Sequence, residues 1–319
     1  MTLTTNKTFR NPIMESGADP WMYRHTDGCY YYMVTCGNRL DLYRSTTMSG
    51  VAKAPKTTIW LPPQEGPGCC ELWAPEIHFI QEKWYIYFTA SDGSGDAGRR
   101  IYVLENESDD PTQGEWTQKG AINTAIPGLD GTVLQHGGKL YFMYAGYGHF
   151  PDYGSAIYAV AMDNPWTVTG PEVLLTKPEY DWEKQGGMAI NEGPCFLIRY
   201  GRIFLIYSAS TTWSDDYGLG MLTADVDSDL LDPTSWTKSD QPVFVKCVQN
   251  GVYAPGHNSF TQSPDGTEDW IVYHAIPTSE GGAENRQPRM QKFGWTVDGK
   301  PNFGKPVSTE TDCAVPSGE

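Results

Sequence analysis

Five short runs of aromatic and β-branched residues recur along the chain, with polar turns marked by Gly and Pro between them. They lie at 30–35 (YYYMVT), 84–89 (WYIYFT), 140–145 (LYFMYA), 203–208 (IFLIYS) and 270–274 (WIVYH). Their second positions, Tyr31, Tyr85, Tyr141, Phe204 and Ile271, are 54, 56, 63 and 67 residues apart. Several runs are apolar at nearly every position instead of alternating, the pattern of a strand buried on both faces. Helical periodicity is almost absent, apart from one turn at 227–231. Each repeat holds enough sequence for about four strands, which predicts the blades of a propeller. The expected fold is all-β: a five-bladed β-propeller forming a single domain over 1–319, with an N-terminal strap at 1–17 over the first blade and a C-terminal tail at 296–319.

Within each repeat the strands can be read in order. The first carries strands at 19–23, 30–35 and 40–44, with Asp27-Gly28 as a hairpin turn. The others read 76–80, 84–89 and 100–104; 130–135, 140–146 and 156–162; 192–199, 203–208 and 218–224; 257–262, 270–275 and 290–295. Trp60, Trp116, Trp166 and Trp236, each in a polar setting, mark fourth, outer strands.

Composition narrows the partners. A net charge of −16 and a pI of about 4.7 argue against nucleic acid and anionic membrane surfaces, which are bound by Lys/Arg fields. They suit a neutral ligand such as a carbohydrate, and a monomer is expected. No apolar run approaches the roughly 20 residues of a spanning helix. The first residues, MTLTTNKTFRNP, have no apolar core and do not read as a secretory signal. The compartment stays open: extracellular if a leader has been trimmed, cytoplasmic otherwise. The seven cysteines show no metal spacing; Cys69 and Cys70 could form a vicinal disulfide, but burial statistics favour thiols. Asn6-Lys7-Thr8 and Asn106-Glu107-Ser108 match the glycosylation sequon.

Nine to fourteen residues before the second position of each run stands a polar residue: Asp19, Glu76, Asp130, Glu192 and His257. Singly, each is an ordinary turn residue. Aligned at one equivalent spot in five blades, they form a ring around the axis, where like charges repel and lose hydration. Carboxylates around one cleft can divide labour, one holding a proton to donate and another staying ionised to accept one. Trp21, Trp73, Tyr147 and Trp213 offer flat faces for a sugar ring, and each also fits a packing role.

At these residues the chain resembles glycoside hydrolase family 43 over nearly its whole length. The motifs are GADPW, WAPEIHFI, LDGT, NEGPCFLI, YAPGHNSF and VYHA, and they look like the branch of exo-acting α-L-arabinofuranosidases. The resemblance implies an inverting mechanism, with Asp19 as general base, Asp130 as the residue that orients the acid and keeps its pKa up, and Glu192 as general acid. It implies an axial His257 beside a bound ion or water, which gives the expectation of a calcium ion held mostly by water, with no cofactor required. Arg289 resembles an arginine reaching into the pocket. Trp21, Trp73, Asn191, Ser210, His257 and Arg289 are expected in substrate binding, while Glu76 has no assigned role. The loops at 53–72, 91–99, 146–154, 211–217 and 278–287 would choose the glycone. The expected substrate is arabinan, arabino-oligosaccharides or arabinoxylan, with β-xylosidase or endo-arabinanase activity as the alternative and a non-catalytic carbohydrate-binding propeller further behind. A retaining fructan-type hydrolase is disfavoured, because its Asn-Asp-Pro, Arg-Asp-Pro and Glu-Cys motifs are replaced here by Ala18-Asp19-Pro20, Leu129-Asp130-Gly131 and Asn191-Glu192-Gly193. The chain ends soon after the fifth repeat, so the β-sandwich that follows many family propellers is expected to be missing.

Overall fold

In the computed structural model, which describes residues 7–319, the aromatic runs become the second strands of five four-stranded antiparallel sheets arranged as a propeller. Each sheet uses consecutive strands. Blade one is Ala18–Arg24, Tyr30–Thr35, Leu40–Ser45 and Lys56–Trp60; blade two is Cys70–Ile80, Lys83–Ser91, Arg100–Asn106 and Thr117–Ala121. Blade three is Gly128–His136, Lys139–Gly146, Ala156–Asn164 and Thr167–Thr176; blade four is Asn191–Arg199, Arg202–Ala209, Gly218–Asp225 and Thr237–Lys238. Blade five is Tyr253–Gln262, Asp269–Ile276, Gln287–Trp295 and Pro301–Asn302. Helix among the described residues is confined to short 3-10 turns. Trp116, Trp166 and Trp236 stand just before outer strands, and only Trp60 lies within one.

The core is split into layers between blades. Tyr31 and Met33 pack with Ile77, Trp84 and Ile86 of blade two, whereas Tyr30, Tyr32 and Val34 pack with Trp270, Val272 and Met290 of blade five. Alternate residues of one strand thus face different neighbours, which explains the unbroken apolar runs. Three further clusters fill the remaining interfaces.

The first strand of every blade is bulged. Its pairing with the second strand slips between Ala18 and Trp21, Trp73 and Glu76, Leu129 and Thr132, Glu192 and Cys195, and Gly256 and Ser259. Inside each slip one residue adopts positive φ: Asp19 (54°), Ala74 (44°), Asp130 (55°), Gly193 (56°) and His257 (46°). These five are the equivalent positions, which corrects the expected ring. Glu192 stands one residue before its bulge, and Glu76 stands two after, one layer deeper. A bulge re-aims side chains, so this offset decides which group enters the mouth of the funnel.

Each bulged residue donates its backbone N–H to the preceding blade. Ala74 donates to Thr35 Oγ1 (2.7 Å), Asp130 to Thr89 Oγ1 (2.9 Å), His257 to Ser208 Oγ (2.8 Å) and Asp19 to His274 Nδ1 (3.1 Å). The acceptors are the last residues of four of the aromatic runs. In the remaining run that place is Ala145, which offers no acceptor, and Gly193 N–H donates to Asp130 Oδ2 instead (3.1 Å).

Blades five and one close without sharing a sheet. Ser259 Oγ accepts from Met22 N–H and donates to Pro20 O, both at 3.0 Å. The strap docks along the seam of blades one and five: Asn11 exchanges two hydrogen bonds with the Met290 backbone, Ile13 N–H donates to Pro288 O, and Phe9, Ile13 and Met14 pack on the cluster the two blades share. Thr8–Phe9 pairs with Cys313–Ala314 of the tail. Two further expectations change. Cys69 and Cys70 form a disulfide instead of separate thiols. Asn106 is buried, its Nδ2 donating to Gln113 O (2.8 Å), which removes it as a glycosylation site; Asn6 lies outside the described residues.

Trp84 tests the interfacial packing. It is fully buried, with its ring 4.8 Å from Tyr31 and 4.9 Å from Phe79. Trp84→Ala is expected to cost about 3–5 kcal/mol in urea unfolding, whereas substitution of the exposed Val297 should leave the midpoint unchanged.

Candidate active site

A cavity of about 590 Å³ opens where the five bulges converge. Asp19, Asp130, Glu192, His257 and Arg286 form its polar floor, and Trp73, Leu129, Tyr147, Phe150, Ile190 and Trp213 are among the residues of its wall. The loops at 91–99, 146–154, 211–217 and 278–287 contribute as expected; 53–72 does not, and Pro127, Met188 and Ile190 come from unanticipated segments. Trp73 is backed by the Arg99 guanidinium 3.8 Å from its ring centre.

Asp19 is surrounded by polar partners. Its Oδ2 accepts from Thr35 Oγ1 (2.7 Å), and its Oδ1 lies 3.2 Å from Arg286 Nη1, 3.2 Å from His257 Nδ1 and 3.5 Å from His274 Nδ1. Burial raises its pKa, but the charges of His257 and Arg286 and the Thr35 hydrogen bond outweigh it, so Asp19 sits well below the usual carboxylate range; His274, whose own pKa burial pushes well down, adds no charge.

The two other acids behave in the opposite way. Burial pushes Asp130 up to about 8, against the pull of His257, and the charges of Glu192 and Asp19 add to the rise. Burial also raises Glu192, against the hydrogen bond from Tyr217 (2.7 Å to Oε1) and the charge of His257, with Asp19 adding to the rise. The expectation that a charged Asp130 holds Glu192 up is therefore modified: burial leads, and the pair titrates as a unit.

His257 lies 3.2 Å from Asp19 and 3.9 Å from Asp130. Burial alone would lower its pKa, but Asp19, Asp130, Glu192 and Glu76 together hold it above its ordinary value. A metal ligand must be a neutral imidazole, and among the described residues no group of three or more His, Cys, Asp or Glu side chains is arranged to hold a metal ion. A cation beside His257 would therefore have to be held mostly by water.

Four expected contacts lie elsewhere. Trp21 packs on His78 (4.9 Å) and donates Nε1–H to Ile77 O, because beyond the bulge its strand has turned away from the mouth. Asn191 donates to the buried Glu183 (3.0 Å), and Ser210 bridges Trp182 O and Gln185 N, so both pin the 181–187 segment behind the wall. Arg289 pairs in register with Tyr273 inside blade five and is fully buried; Arg286, just before that strand, enters the cavity instead. Glu76 pairs with His78 (2.9 Å) below the floor. Sequence reasoning missed Thr35, Tyr217, His274 and Arg286. The first and third could have been found as the terminal residues of their aromatic runs.

An ionised carboxylate and two carboxyls raised by burial lie beneath an aromatic wall at the mouth of a five-bladed propeller, an arrangement suited to the acid–base chemistry of glycoside hydrolysis. The chain belongs to Glycosyl hydrolases family 43, which it matches over residues 9–301. It is 43% identical over 310 residues to an extracellular exo-α-(1→5)-L-arabinofuranosidase of Streptomyces avermitilis, covering 94% of this chain and 64% of that protein. A second protein of that name, from Streptomyces chartreusis, is 44% identical over 271 residues, with 84% of this chain and 82% of that protein covered. The crystal structure of an α-L-arabinofuranosidase from Lactobacillus brevis superposes with a TM-score of 0.89 at 42% identity, over 95% of this chain and 98% of that one. The chain spans slightly under two thirds of the length of the Streptomyces avermitilis protein.

The raised Asp130 sets a stability test. The folded protein keeps a proton that the unfolded chain, with a carboxyl near 3.8, gives up, so the fold is penalised progressively as pH rises from about 4 to about 8. Asp130→Asn keeps an acceptor for Gly193 N–H and removes that penalty. Its thermal melting temperature is expected to match the parent near pH 4 and to exceed it increasingly up to pH 8.

Proposed function

We propose that the protein is an inverting, exo-acting α-L-arabinofuranosidase that releases terminal arabinose from arabinan or arabino-oligosaccharides. The observation that carries the reading is the division of protonation within one cavity: Asp19 is held ionised by His257, Arg286 and Thr35, while Glu192 is raised by burial. The names of the Streptomyces and Lactobacillus relatives support the glycone.

In this mechanism Asp19 takes a proton from water as the water oxygen bonds to the anomeric carbon. Glu192 gives its proton to the glycosidic oxygen as that carbon–oxygen bond breaks, and the configuration inverts. Asp130 competes with Glu192 for a proton and keeps the pair from ionising together. Arg286 and His257 hold the base anionic, and Trp73, Tyr147 and Trp213 offer flat surfaces to sugar rings. The two Streptomyces proteins are named extracellular, which favours that compartment here, with the enzyme working as a monomer on neutral polysaccharide.

Asp19→Asn should lower kcat/KM at least about 10²-fold on every substrate. Glu192→Ala should lose as much on arabino-oligosaccharides and far less on an aryl arabinofuranoside, whose leaving group needs little protonation. Proton NMR should show the inverted anomer first; a retained anomer would return Asp19 to the role of nucleophile. Early release of internal oligomers from linear arabinan would overturn exo action.

A cation in the channel is tested separately. Loss of kcat or Tm on chelation would support a water-held ion beside His257; if both stay unchanged, the ion has no role.

A further inference from the structure

Tyr217 lies in the loop before the third strand of blade four, is 1% exposed, and donates its hydroxyl hydrogen to Glu192 Oε1 at 2.7 Å. Two neighbours fix its ring. The His274 imidazole lies nearly parallel to it, with ring centres 5.6 Å apart and planes 11° apart. Gly256 forms the second wall, since a Cβ there would run into ring carbons Cδ1 and Cε1 of Tyr217. His274 is itself locked, because its Nδ1 accepts the Asp19 N–H (3.1 Å) and its hydrogen therefore sits on Nε2. The seat of the acid is thus built against the residue that holds the backbone of the base.

We propose that Tyr217 is the positioning residue of the acid: by engaging Oε1 of Glu192 it leaves Oε2 to carry the proton that is transferred to the substrate. This rests on the assignment of Glu192 as the acid. A phenylalanine would fill the same space, so the hydroxyl is the functional part. Buried hydroxyls require a partner, and this one has the acid's carboxyl.

The groups bearing on Glu192 are Tyr217 from its own blade, His257 and Arg286 from blade five, Asp19 from blade one, and Asp130 and Tyr147 from blade three. The Tyr217 bond favours the ionised carboxylate, so its removal raises the pKa of the acid.

Tyr217→Phe is expected to stay folded, judged by Tm, and to lose about tenfold in kcat/KM on arabinotriose, the scale of one lost hydrogen bond. Its rate on 4-nitrophenyl arabinofuranoside should change little, and the basic limb of its pH profile should move to higher pH. Gly256→Ala, which pushes the ring aside, should show the same leaving-group selectivity. A folded Tyr217→Phe with equal losses on both substrates and an unmoved basic limb would overturn the proposal, as would one with parental kinetics. If Glu192→Ala shows no selectivity for the aryl substrate, the acid assignment itself has failed.

Discussion

The structure depends on one repeated hydrogen bond. At the top of each blade the first strand bulges into positive φ, and its N–H is taken up by the blade before it. A non-glycine residue in that conformation costs roughly 1–2 kcal/mol, and such strain persists only where the surroundings over-determine it. Thr35, Thr89, Ser208 and His274 supply that determination in four places. The same bond turns the side chains of Asp19, Asp130 and His257 toward the axis, so the device that joins neighbouring blades also aims the chemistry.

The exception is as informative as the rule. Ala145 leaves Gly193 N–H without a side-chain acceptor from the second strand, and Asp130 takes its place. That bond ties the strand carrying Glu192 to the carboxyl with which Glu192 shares its titration. Asp19, by contrast, meets the imidazoles of blade five and Arg286. The broken symmetry of the hydrogen-bond ring runs parallel to the split in proton affinity on which the proposed mechanism relies.

Much of this was legible in the chain. Strands squeezed between two blades must be apolar on both faces, so the five runs declared themselves, and Asp19, Glu76, Asp130, Glu192 and His257 stood out by their spacing from those runs. The register of a bulge cannot be counted from spacing alone. Glu76 therefore looked equivalent to Asp130 although it lies a layer deeper, and Trp21 looked like a platform although it faces His78. Arg286 and Arg289 are three residues apart, and only the start of the strand at Gln287 decides which one meets the cavity. Tyr217 carries no local signal, since its partners Glu192, Gly256 and His274 are brought to it by three different strands.

The seam between the fifth and first blades has a consequence for how the molecule comes to life. Asp19 is near the beginning of the chain, yet the groups that hold it, His274 and Arg286, follow it by 255 and 267 residues. Blades one to four already hold Asp19, Asp130 and Glu192, but the surroundings of Asp19, the proposed base, are complete only with the last blade in place. On the proposed mechanism, turnover would thus be a readout of circular closure: an incomplete ring contains all three carboxyls and still lacks the surroundings of Asp19.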